Sequence, residues 1–114
     1  MWTDFDTRGE NTTVAVLDSG VATDAHQSLT LAEDGWNDFV SNRSEPLDDR
    51  NHGTVTSGVL VGTETPDGAR FGVAPNATLL HGKVIDSDGA ARTTNVLQGV
   101  EWAIEHPQQP DVVL

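Results

Sequence analysis

Four apolar residues in succession, Val14-Ala15-Val16-Leu17, run straight into Asp18, Ser19 and Gly20. A run with no alternation of apolar and polar positions fits a strand covered on both faces, as in a parallel sheet with helices above and below. In open sheets of that kind, binding and chemistry collect outside the carboxyl ends of the strands. Asp18 ends this strand. A second signal lies downstream, where His52-Gly53-Thr54 follows a polar loop, residues 42–51, and opens a stretch suited to a helix. A carboxylate at a strand end and an imidazole at a helix start can meet across one sheet edge. Such a pair is the orienting half of a nucleophilic triad, in which an acid holds a histidine that activates a hydroxyl. Ser19 is not that hydroxyl, because a side chain next to Asp18 cannot also sit beyond the far nitrogen of His52. The third member is missing.

The rest of the pattern alternates strand and helix. The first strand covers about Thr13 to Leu17, and a short second strand includes Asp38-Phe39-Val40. A helix runs from His52 to Val61, with Gly53, Ser57 and Gly58 small enough for close packing. Each glycine costs an isolated helix roughly 1 kcal/mol relative to alanine, so packing must compensate. Gly62 through Gly68, with Pro66, reads as a turn-rich loop. A third strand covers Thr78 to Ile85. A second helix starts near Thr93, Thr94 or Asn95, any of which could cap it. Its apolar positions Val96, Leu97, Val100, Ala103 and Ile104 fit one face at helical spacing. Pro107 ends it, since proline disfavours helical geometry in the residue before it. Asp111-Val112-Val113-Leu114 reads as the start of a further strand. The class is α/β, a mainly parallel sheet with flanking helices in a single domain.

Charge narrows the partners. Eighteen acidic residues against six basic give a net charge of −12, and a single lysine, Lys83, is among the six. Nucleic acid is not an expected partner, because phosphate binding needs a basic surface. Acids scattered along the chain with little lysine favour adaptation to high salt, where self-repulsion between carboxylates is screened. The absence of cysteine excludes disulfides and thiol chemistry. Residues 1–10 carry neither the charge nor the apolar run of a signal peptide, and no apolar stretch is long enough to span a membrane. The four histidines show no zinc-ligand spacing, and no Gly-x-Gly-x-x-Gly follows a strand. His81 and His106 read as structural.

Several of these segments together resemble the first part of the catalytic domain of subtilisin-like serine proteases, the subtilases. Val14-Ala15-Val16-Leu17-Asp18-Ser19-Gly20-Val21 is similar to the family's aspartate motif, and His52-Gly53-Thr54 with Gly58 to its histidine motif. Gly72-Val73-Ala74-Pro75-Asn76-Ala77 followed by Lys83-Val84-Ile85 resembles the family's next strand and its lead-in. Gly99-Val100-Glu101-Trp102-Ala103 resembles the helix after it. Val55 stands where the family commonly has a second, non-catalytic histidine.

The resemblance implies that residues 1–114 are the N-terminal portion of a truncated, subtilisin-like catalytic domain. It implies Asp18 as orienting acid and His52 as general base of a serine-type endopeptidase acting on peptide or protein substrates. Gly89-Ala90-Ala91 lies where subtilases pair with substrate as an added strand, and Ile85 resembles an apolar position lining substrate pockets. The family's oxyanion-hole asparagine and nucleophilic serine come later in chain order. Ser28, Ser41, Ser44, Ser57 and Ser87 match no such motif. The chain is therefore expected to be inactive without the missing C-terminal half, and the rival reading is a non-catalytic half-subtilase that binds a partner. A small acidic metal- or nucleotide-binding domain is a third, weaker option. No cofactor is assigned. Calcium at the family's usual site is not expected, since Gln27 and Ser28 after His26 replace proline and an aspartate that is often a ligand. The acidic loops 45–49, or Glu64 with Asp67, could take a hard cation, though such loops are more often simply solvated. An extracellular location is the family expectation.

Overall fold

Strand β1 (Thr13–Asp18) is the apolar run, lengthened by one residue so that Asp18 is its last member. The computed structural model describes residues 2–114, with side chains from residue 4 onward. The other elements are a single turn α1 (Trp2–Phe5), strand β2 (Leu31–Asp38), helix α2 (His52–Val61), strand β3 (Thr78–Lys83), helix α3 (Thr93–Glu105) and the short strand β4 (Val112–Val113). The four strands form one sheet in the order β2-β3-β1-β4. Every pairing is parallel, with Val16 opposite His81 and Asp18 opposite Lys83 across β1 and β3. The expected class, an α/β fold with a parallel sheet and flanking helices, is the observed one.

The unbroken apolar character of β1 has a direct cause. Val14 and Val16 point to one face, where they pack with Leu79, Val21, Leu29 and Val61 of α2. Ala15 points to the other, where it packs with Leu80 and with Ala103 of α3, flanked by Trp102. A strand buried on both sides has no position left for a polar residue until its end. Burying each valine or leucine side chain contributes roughly 1.5–3 kcal/mol. Small residues set the spacing of the second layer: a Cβ on Gly99 would come within 2.8 Å of Val84 and 3.2 Å of Leu17.

Four sequence expectations need correction. The second strand does not include Phe39 and Val40 but covers residues 31–38. Asp38 ends it by turning its carboxylate onto the backbone N–H groups of Val40, Ser41 and Arg43. A register shift between Leu31 and Trp36, with Asp34 at φ 55, hides any period-two pattern. The third strand stops at Lys83, because the N–H groups of Val84 and Ile85 both turn to the Asp18 carbonyl. The residue before α3 is Arg92, and no side chain caps the helix. Finally, Leu97 and Ile104 do not join the buried face of α3; they are 63% and 70% exposed, while Gly99 and Ala103 are buried. The end of α3 is as expected: His106, just before Pro107, is extended (φ −63, ψ 136).

Candidate active site

The carboxyl end of β1 carries Asp18, which is 7% exposed. Its Oδ1 accepts the backbone N–H of Ser19 at 2.6 Å. Nδ1 of His52, at the first turn of α2, lies 2.8 Å from Oδ1 and 2.9 Å from Oδ2. An ionised carboxylate only accepts, so Nδ1 carries the proton and Nε2 of the neutral ring keeps its lone pair. The His52 side chain is 71% exposed. Among the described residues no group bonds to Nε2. The arrangement is an oriented imidazole, ready to take a proton from whatever hydroxyl is placed against it.

What delivers His52 to Asp18 is the turn at Asp48, which sequence reasoning left among the solvated acids. Oδ1 of Asp48 accepts the Ser19 hydroxyl at 2.8 Å, the Arg50 N–H at 3.1 Å and the Asn51 N–H at 2.9 Å. Its Oδ2 accepts the N–H and hydroxyl of Thr54 at 2.8 and 2.5 Å. Burial would raise the Asp48 carboxyl, but the bonds from Thr54, Arg50 and Ser19 outweigh it and its pKa is lowered. Asn51, the residue before α2, is left-handed (φ 64) and caps nothing with its side chain. Asp48 takes over the capping, and its negative charge suits a helix N-terminus. The only trace of this role in the sequence is an aspartate a few residues ahead of a helix start.

Ser19 completes the join by accepting the Gly53 N–H at 3.0 Å. Gly53 must be glycine here: a Cβ would lie 2.1 Å from the Gly20 carbonyl oxygen and 3.0 Å from the His81 ring.

The segment singled out for substrate contact lies at the same sheet end. Ile85 is half-buried, its N–H bonded to the Asp18 carbonyl at 3.2 Å. It pairs antiparallel with Ala91 across a tight loop. Asp86 shapes that loop by accepting the N–H groups of Asp88 and Ala90, which lowers its own pKa. Gly89 supplies φ +83 at the tip, and Gly89, Ala90 and Ala91 are exposed. Arg50, two residues before His52, donates from Nη1 to the Ser87 carbonyl at 3.1 Å and so ties the loop to the histidine. Asp18, His52, Ile85 and residues 89–91 are thus gathered around one end of the sheet.

The remaining candidates lie elsewhere. Ser57 is buried and bonds its hydroxyl to Nδ1 of His81 at 3.0 Å. His81 is fully buried beneath α2, stacked on Trp36; burial lowers its pKa to about 4, against raising effects of Asp18 and Asp48. His106 is structural: Nε2 donates to the Asp34 carbonyl at 2.9 Å and Nδ1 accepts the Gln108 N–H at 3.1 Å. His26 is exposed and lines a cleft of about 320 Å³ with Ser28, Leu29, Val55, Val59 and Phe71. In the acidic loops, Glu64 pairs with Arg70, Asp67 accepts the Thr65 hydroxyl and Asp49 holds Lys83. Among the described residues no group of three or more His, Asp or Glu side chains is arranged to hold a metal ion. Among them, too, no helix is long and apolar enough to cross a membrane.

Residues 9–113 match the model of the subtilase family. The chain is 33% identical over 105 residues to the serine protease AprX of Bacillus subtilis, which covers 90% of this chain and 23% of that protein. It is 38% identical over 98 residues to a thermostable alkaline protease of Halalkalibacterium halodurans, covering 86% of this chain and 26% of the relative. Subtilisin-like protease 1 of Trichophyton verrucosum is 35% identical over 101 residues, with 89% and 23% covered. The chain spans about a quarter of the length of these curated relatives.

Proposed function

Because the chain belongs to the subtilase family, we propose that Asp18 and His52 are the acid and base of a serine-type endopeptidase whose nucleophilic serine is supplied by polypeptide outside these 114 residues. The observation that carries this reading is the approach of His52 Nδ1 to both oxygens of the buried Asp18 carboxylate, with Nε2 left open. In the reaction, Nε2 takes the serine proton as the hydroxyl oxygen attacks the peptide carbonyl. It then returns that proton to the leaving amine, and water hydrolyses the acyl-enzyme by the same route. Asp18 holds the tautomer and stabilises the imidazolium formed on the way. Residues 89–91 receive the peptide, main chain to main chain, as an added strand, and Ile85 lines a side-chain pocket beside them.

The two serines buried near the pair are not available as its nucleophile. Ser19 and Ser57 are fully buried and bonded to Asp48 and His81. Val55 and Val59 on the helix of His52, and Val112 to Leu114 at the sheet edge, are exposed apolar residues that further polypeptide would cover. On this reading residues 1–114 are the N-terminal portion of a catalytic domain, and the isolated chain hydrolyses nothing. An extracellular, high-salt setting belongs to the same reading, the latter supported by the net charge of −12. The same uncovered surfaces favour one second reading, a half-domain that binds a partner without catalysis. Peptide hydrolysis on adding the serine-bearing remainder of the domain supports the first; association without hydrolysis supports the second.

A further inference from the structure

Lys83 is the single lysine of the chain, and it is also one of its most deeply buried side chains, at 1% exposure. A buried ammonium is costly unless it is paired and its protons are all bonded. Here they are. Nζ donates to the Ser19 carbonyl at 2.5 Å, to Asp49 Oδ1 at 2.8 Å and to the Ile85 carbonyl at 2.7 Å. Three donors meet three acceptors at one point. A guanidinium spreads its donors over a planar fork and cannot converge them in this way, so arginine is not an equivalent residue here.

The three acceptors come from three different segments. Ser19 follows Asp18 directly, and its own N–H bonds the Asp18 carboxylate. Asp49 lies in the turn that leads into His52, next to the capping residue Asp48. Ile85 opens the loop that bears Gly89, Ala90 and Ala91. Lys83 itself ends β3 opposite Asp18. We infer that Lys83 is a positioning residue, whose ammonium holds the Asp18 turn, the His52 lead-in and the 85–91 segment in one fixed relation. The inference rests on the proposed roles of Asp18 and His52 and adds to them the group that sets their alignment.

The test uses the 114-residue chain and reads the His52–Asp18 bond directly, as hydrogen-exchange protection of the His52 Nδ1–H proton by NMR. Lys83→Met keeps the length of the stem and removes all three donors. Val61→Ala, in the core away from the site, serves as a destabilised control. The expected result is Nδ1–H exchange faster by roughly ten- to a hundredfold in Lys83→Met, the factor carried by losing a charge-assisted hydrogen bond. Val61→Ala should show a lower melting temperature with the Nδ1–H still protected. Equal protection in Lys83→Met and the parent chain would overturn the inference, because Lys83 would then be a structural ion only. If Lys83→Met does not fold, Asp49→Ala removes one leg at the more exposed side of the cluster. Unchanged protection there overturns the inference, and severalfold faster exchange supports it. A parent chain with no protected Nδ1–H would instead sink the Asp18–His52 reading itself, and this inference with it.

Discussion

The imidazoles of His52 and His81 follow opposite rules within one small volume. His52 is exposed and held by a carboxylate, whereas His81 is sealed under α2, bonded to the Ser57 hydroxyl and stacked on Trp36. His81 gives a prediction with a definite sign. Its pKa falls from 6.5 unfolded to about 4 folded, burial being the main cause. The unfolded chain therefore binds more protons between these values, and stability is lost as pH falls from about 6.5 towards 4. The loss is on the order of 3 kcal/mol, which urea unfolding followed from pH 7 to pH 4 would register. In His81→Leu that slope should flatten. Asp48, with its pKa lowered, acts in the same direction, but only below the ordinary carboxylate range. At this scale the sequence disclosed the groups with a chemical signature, Asp18 and His52, and not those defined by position. Asp48 and Lys83 look like any surface charge until the fold brings their partners to them from residues 19, 54 and 85.

Elements were legible wherever one physical cause dominated. β1 declared itself because both its faces are covered, and α2 because a polar loop gives way to small and apolar residues. α3 was placed, but its buried face was misjudged. Apolar spacing allowed a stripe through Leu97 and Ile104, whereas the sheet keeps Ala103 of that stripe, adds Gly99 and leaves those two outside. The helix is anchored from its other side, where Trp102 meets Phe39 and His106 edge-on and His106 bonds the Asp34 carbonyl. Leu97→Gln should therefore leave thermal stability within roughly 0.5 kcal/mol of the parent, the usual range of surface changes. Helix α2 is the reverse case. Gly53→Ala drives a methyl into the Gly20 carbonyl oxygen, 2.1 Å away, and must push the first turn off β1. We expect a loss of at least about 3 kcal/mol in chemical denaturation, the upper end of overpacking costs.

For the molecule as a whole, charge and the open edge matter more than any one contact. A net of −12 on 114 residues opposes compaction by self-repulsion, and salt screens it: the Debye length falls from about 10 Å at 0.1 M to about 3 Å at 1 M. The melting temperature should rise across that range, and calorimetry showing no change would remove the charge from the account of stability. Strand order could not be read from the sequence, because pairing across β1 and β3 joins residues 65 positions apart, as Thr13 with Thr78. The sheet places the Asp18–His52 pair at its carboxyl end, beside an exposed apolar helix face and an uncovered edge strand. The central claim is that this pair awaits a serine. The measurement that tests it most directly is hydrolysis of a peptide substrate by the chain alone, with the serine-bearing remainder of the domain, and with that remainder added to Asp18→Asn. We predict no turnover from the chain alone, turnover on completion, and a loss on the order of 10⁴ in kcat for Asp18→Asn. A completed, folded protein whose turnover is indifferent to Asp18→Asn would contradict the account.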